Sequence, residues 1–270
     1  MKIKYLFLLV IAACFVAALY IPAPEEKAIG NMFLGIVGIL FGIIIGFFIT
    51  DLYTRFARIR ELIASEVSGL TTAHAFAKVL GNHAANKKWF PKFRNTLESY
   101  TIKILRLEKN AYTKSEKEFG AIYEMLLPLK EFKTNKETET YSNLLPVLSA
   151  LSDFREDLIM FYKDKLSPAE WITIMSLWGV FMFNLFYLKT PELSSIIFTG
   201  VLGAISIMLV FIIKDLDDLS FGYEIIGCEP YERVLDGIGR QRFYCKEDIE
   251  DGRVVPPKGV KYRTGTKLKA

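Results

Sequence analysis

The sequence predicts an all-α integral membrane protein: four transmembrane helices, a cytoplasmic helical insert between the second and third, and a short irregular C-terminal tail. Three observations carry this. Of the 270 residues 51% are hydrophobic, and they are clustered rather than spread, which favours a membrane class. Four windows, Tyr5 to Ile21, Ile29 to Thr50, Trp171 to Leu188 and Leu193 to Ile213, carry no internal charge. Each approaches the roughly 20 apolar residues a helix needs to cross about 30 Å of hydrocarbon. Third, residues 51–168 hold 19 Lys/Arg and 15 Asp/Glu, whereas the connectors "PAPEEKA" and "KTPE" hold one basic residue each. By the positive-inside rule the long middle region, the tail and, through Lys2 and Lys4, the N-terminus lie in the cytoplasm of a multi-pass membrane protein.

In chain order, residues 1–53 supply transmembrane helices 1 and 2. The first apolar run also has the look of a leader, and "IAAC" at Ile11 to Cys14 resembles a lipoprotein cleavage box. The apolar "FVAALYI" that follows favours a retained helix. The second membrane helix runs on without Gly or Pro from 47 to 68, with Arg55, Phe56, Ile59, Leu62, Ile63 and Val67 at helical spacing. "LGNH" at 80–83 supplies its C-cap.

Residues 54–166 form the cytoplasmic helical domain. A helix from about Pro91 to Tyr112 presents Phe93, Leu97, Tyr100, Ile104 and Leu107. The next runs through "SEKEFGAIYEMLLPLKEF", with Ser115 and Glu118 at capping-box spacing. The charged connector "KTNKETET" precedes a helix over roughly 141–165. Transmembrane helices 3 and 4 occupy 167–213, with Ser167 as N-cap and Pro168 in the first turn. The tail, 214–270, reads as loop with one short hairpin.

The second membrane helix holds the candidate functional residues. Gly35, Gly38, Gly42 and Gly46 fall within about 80° of one another around an ideal helix, although each glycine costs roughly 1 kcal/mol against alanine. Small residues at such spacing let another helix approach closely. That helix is either the chain's own third or fourth span, where Gly200 and Gly203 lie, or the same helix of a neighbouring subunit. In the second case Phe41, Ile45 and Phe48 on the flank form a hydrophobic pore neck. Asp51, Arg55 and Arg58 follow at i, i+4, i+7. They read as an interfacial ion pair with topology-setting arginines, or as a cytoplasmic vestibule that concentrates anions.

Other chemistry has little footing. His74 and His83 are the only histidines and have no acidic or cysteine partner at metal spacing. There is no phosphate-cradling loop and no nucleophile elbow, and the spans carry no ionisable groups of the kind an intramembrane enzyme uses. The net charge of +4 comes without a basic stripe interleaved with aromatics, so nucleic acid is not an expected partner. The expectation is no enzyme, no cofactor and no bound metal, with the bilayer, ions and further copies of the chain as partners.

Two motifs carry a family resemblance. "FREDLIMFYKDKLSPAEW" enters the third span with Arg155, Pro168 and Trp171, and "IIKDLDDLSFG" leaves the fourth with Asp215, Leu216, Asp217, Phe221 and Gly222. With the order of elements, these resemble the bestrophin-like family of bacterial membrane proteins over about residues 30–235. The resemblance implies an oligomer, possibly a pentamer, conducting ions, mostly anions, past a neck on the second membrane helix. It also implies a remnant of an acidic calcium clasp at Asp215, Asp217 and Asp218. The acidic run is short and precedes the Phe-Gly pair, which speaks against calcium gating. The alternative reading is a membrane-anchored scaffold whose cytoplasmic helices recruit a partner without conduction.

Overall fold

No proline stands between Pro24 and Pro91, so nothing removes a backbone donor from the second apolar window or from the polar stretch that continues it. The structure, a computed structural model, accordingly carries one helix, α1, over Ala28–Gly81, 54 residues or about 80 Å of axis. It describes residues 12, 16, 20, 28–82, 86–107, 111–126, 129, 132, 134–219 and 228–268. The expected first span lies outside these, apart from helical Ala12, Val16 and Tyr20; so do His83, Phe221 and Gly222.

The chain forms two compact units, one of residues 1–56 and 165–222 and the other of 57–164 and 223–270. In the first unit, α6 (Pro168–Tyr187) and α7 (Leu193–Asp217) accompany the start of α1. Ser167 caps α6 as expected: its side chain accepts from the Glu170 N–H while Glu170 accepts from the Ser167 N–H, satisfying two donors the helix leaves open. Among the described residues, α1, α6 and α7 are long and apolar enough to cross a membrane.

The second unit holds α2 (Trp89–Arg106), α3 (Ala111–Lys114), α4 (Glu116–Glu124), α5 (Asn135–Lys163), α8 (Cys228–Gly237), β1 (Arg242–Cys245), α9 (Lys246–Glu250) and β2 (Tyr262–Gly265). Its core gathers Ile59, Leu62, Ile63 and Leu70 of α1, Phe93, Leu97 and Tyr100 of α2, Leu144, Leu148 and Leu151 of α5, and Val234 and Leu235 of α8. The apolar face foreseen for α2 is thus the buried one.

Four local expectations are corrected. The helix expected to reach Tyr112 stops at Arg106, because the end of the chain takes over its last turn: Leu268 N–H donates to the Arg106 carbonyl and Arg106 Nε to Thr266 O. Ser115 forms no capping box, since its own N–H already bonds to Ala111 O, its hydroxyl donates to Tyr112 O, and Glu118 pairs with Lys103 at 2.6 Å. The box is at Thr134 and Glu137, so much of "KTNKETET" is the first turns of α5 rather than a connector. In the tail, β1 and β2 pair in parallel, Arg242 opposite Tyr262 and Cys245 opposite Gly265. Parallel strands need a crossover of about a dozen residues or more, and α9 lies within this one, so these two strands do not form the expected hairpin.

Candidate functional site

Because α1 is apolar on every side in its first half, burial rather than composition decides which face does what. The inward face is Val37, Phe41, Ile45 and Leu52. Phe41 stacks on Phe181 of α6, ring centroids 4.7 Å apart and planes 6° apart, and Ile45 is 2% exposed. Phe41 and Ile45, read from the sequence as neck residues, are thus buried within the first unit. Phe48 is half-buried and meets Phe47 edge to face at 6.0 Å.

The outward face carries two adjacent rows. A Cβ added at Gly35, Gly42 or Gly46 would meet nothing within 4 Å, and only Gly38 has a neighbour, Phe181 Cε2 at 3.8 Å. Three of the four glycines therefore do not serve close packing among the described residues of this subunit. Beside them Ile39, Ile43 and Phe47, spaced by four, are 65%, 66% and 69% exposed. By contrast Gly200 and Gly203 of α7 are buried within the unit.

At the end of the same unit, polar residues converge on Asp217. Its Oδ1 accepts from the Leu166 N–H at 2.8 Å and its Oδ2 from the Trp171 indole N–H at 3.3 Å. Arg55 lies 3.7 Å from Oδ1 with both side chains buried, and also donates to the Asp217 carbonyl at 3.4 Å. The carboxylate thus ties α1, the entry of α6 and the last turn of α7 together. Arg55, read from the sequence as a vestibule or local ion-pair residue, is a buried partner of Asp217. Asp51 and Arg58 are exposed, and Arg58 pairs with Glu61 at 2.8 Å.

The same geometry engages two of the clasp residues in other contacts. Asp217 is committed to Arg55, Leu166 and Trp171, and Asp218 pairs with Lys165 at 2.6 Å. Among the described residues no three His, Cys, Asp or Glu side chains converge as a metal would require. What this arrangement can do is brace the ends of three apolar helices, with one face of α1 uncovered among the described residues.

The sequence matches the family model for the Bestrophin-like domain over residues 4–219. The chain belongs to the bestrophin-like family. Its fold is shared with solved crystal structures. A bacterial bestrophin homologue from Klebsiella pneumoniae carrying a point mutation superposes with TM-score 0.65 at 13% identity, over 89% of this chain and 100% of that one. A second mutant of a Klebsiella pneumoniae bestrophin homologue gives 0.66 at 12%, over 89% and 100%. A structure described only as a membrane protein gives 0.67 at 12%, over 88% and 99%. No curated protein matches by sequence. This bestrophin-like chain is therefore a membrane protein, and the Asp217 knot lies on the Asp-Leu-Asp motif that suggested the family.

The exposed Ile39, Ile43 and Phe47 row escaped the sequence reading because the glycine stripe has two flanks and nothing in the sequence distinguished them. Glu66, discussed below, left a signal: a carboxylate within the buried stripe Leu62, Ile63, Leu70 of α1.

Proposed function

We propose that the chain is one subunit of a homo-oligomeric ion channel of the bacterial inner membrane, with α1 lining an axial path. The observation that carries this is the exposed face of α1: a row in which Gly35, Gly42 and Gly46 meet nothing within 4 Å among the described residues, beside a bulky apolar row that is exposed there. Neighbouring copies meet on the glycines, where close approach replaces the lost side-chain contacts. Ile39, Ile43 and Phe47 then narrow the path into a neck that dewets when closed. Residues 54–166 and both termini lie in the cytoplasm, and the excess of basic over acidic residues across 51–168, 19 against 15, favours anions. A fivefold ring is the symmetry suggested by the family resemblance.

The test is current through planar bilayers containing purified protein, in anion gradients. Conduction with a reversal potential following the anion, altered by Ile43→Ala or Phe47→Ala, is expected. Silence from correctly assembled oligomers would refute the channel, and a strictly monomeric particle in mild detergent would favour the scaffold.

A further inference from the structure

Glu66 is a fully buried carboxylate in the second unit, beyond the apolar window that ends at Thr50. Its Oε1 accepts from the Tyr100 hydroxyl of α2 and its Oε2 from the Tyr231 hydroxyl of α8. The Tyr112 hydroxyl of α3 is 2.8 Å from that of Tyr231. From α5, the buried Arg155 guanidinium donates to the carbonyls of Tyr112 and Ser115 and sits 5.5 Å and 4.5 Å from the ring centroids of Tyr100 and Phe119. Tyr100, Tyr112, Tyr231 and Arg155 are thus the titratable and charged groups that face Glu66 from α2, α3, α8 and α5.

Burial pushes the Glu66 carboxyl above the usual glutamate range, outweighing the two tyrosine hydrogen bonds and Arg155, which act the other way. Burial, then the Glu66 charge, also raises all three tyrosines well above the usual phenol range, so they remain donors. Besides this knot, α8 is held by apolar contact, with Val234 and Leu235 fully buried and a Cβ on Gly237 3.7 Å from Thr71 Cγ2, and by Glu232 and Asp236, which accept from Tyr244 and Arg242 of β1, contacts that can travel with it.

We propose that Glu66 is a proton-controlled latch for the C-terminal helix α8: protonated, it holds α8 closed on α1, and ionised, it favours release of α8 so that the carboxylate reaches water. With α8 closed, Glu66 keeps its proton to higher pH than with α8 released, so the closed state binds the proton more tightly. The advantage of the closed state is complete below the ordinary glutamate value of about 4.3 and is lost as pH rises through the closed-state value. Each pH unit inside that window lowers the closed-to-open ratio about tenfold. The latch does not depend on whether the protein conducts.

Hydrogen exchange followed by mass spectrometry on the full chain in detergent tests this, between about pH 5 and about pH 9, with rates corrected for intrinsic pH dependence and α6 as internal control. Protection of 228–237 is expected to fall by about tenfold or more across the range while α6 stays level. Glu66→Gln, neutral at every pH, should flatten the profile. If that variant does not fold, Tyr231→Phe decides: removing a hydrogen bond that supports the anion should move the transition to higher pH. A pH-independent wild-type profile, an unchanged slope in Glu66→Gln, or an unmoved midpoint in Tyr231→Phe would each overturn the latch.

Discussion

Replacing Asp217 by alanine should unfold the first unit far more readily than any surface change. Arg55 and Asp217 face each other at 3.7 Å with side chains 6% and 9% exposed, so truncation takes the carboxylate away from a guanidinium that is itself buried. Breaking a buried pair in this way costs about 3–5 kcal/mol. The Leu166 and Trp171 donors also lose their acceptor, at roughly 0.5–1.5 kcal/mol each; because these terms overlap, the total is about 4–6 kcal/mol. For a chain of this size, roughly 2–4 °C per kcal/mol converts that to a melting point roughly 10–20 °C lower, read by intrinsic fluorescence in detergent. Arg55→Met combined with Asp217→Ala should cost less than the sum of the two single changes, since the stranded charge is gone. A fall of less than about 3 °C for Asp217→Ala, or strict additivity in the double variant, would show that the knot does not brace the helices.

Further outcomes follow from individual contacts. Phe41→Ala, which removes a buried ring stacked on Phe181, should destabilise by about 3–5 kcal/mol, whereas Phe47→Ala at 69% exposure should leave the stability of the monomeric state within about 0.5 kcal/mol. Gly42→Leu should reduce particle mass in size-exclusion light scattering without loss of helical circular dichroism, since a Cβ there meets nothing within 4 Å among the described residues. Gly81→Ala places a Cβ 2.3 Å from Phe90 Cβ, an atom fixed to the backbone, and should destabilise by about 1–3 kcal/mol. Ser167→Ala removes the acceptor that caps α6 and should cost about 1 kcal/mol, seen as a small fall in the same melting assay.

The long helices were legible because their signals are local and redundant. Apolar length marks α6 and α7, the proline-free run marks α1, and Ser167 with Pro168 marks a helix start on its own. What the sequence left undecided depends on partners distant in the chain. Arg106 ends α2 only because residues 266–268 return to its carbonyl and guanidinium. Arg55 points inward only because Asp217 lies 162 positions later. The inward face of α1 was illegible for a related reason: a helix apolar all round has no intrinsic inside, and the stacking of Phe41 on Phe181 shows one flank of the glycine stripe buried in the first unit. Parallel pairing of two four-residue strands is likewise invisible to a pattern that marks turns but not crossovers.

The central claim, that α1 lines a conducting path with Ile39, Ile43 and Phe47, is tested most directly by cysteine accessibility in planar bilayers. In a background where Cys14, Cys228 and Cys245 are serine, single variants Ile43→Cys, Phe47→Cys and Phe41→Cys are exposed to a water-soluble thiol reagent during recording. The account predicts that modification changes the current irreversibly at positions 43 and 47 and leaves it unchanged at 41. Modification that acts at 41 but spares 43 and 47, or the absence of any current from assembled oligomers, would contradict it.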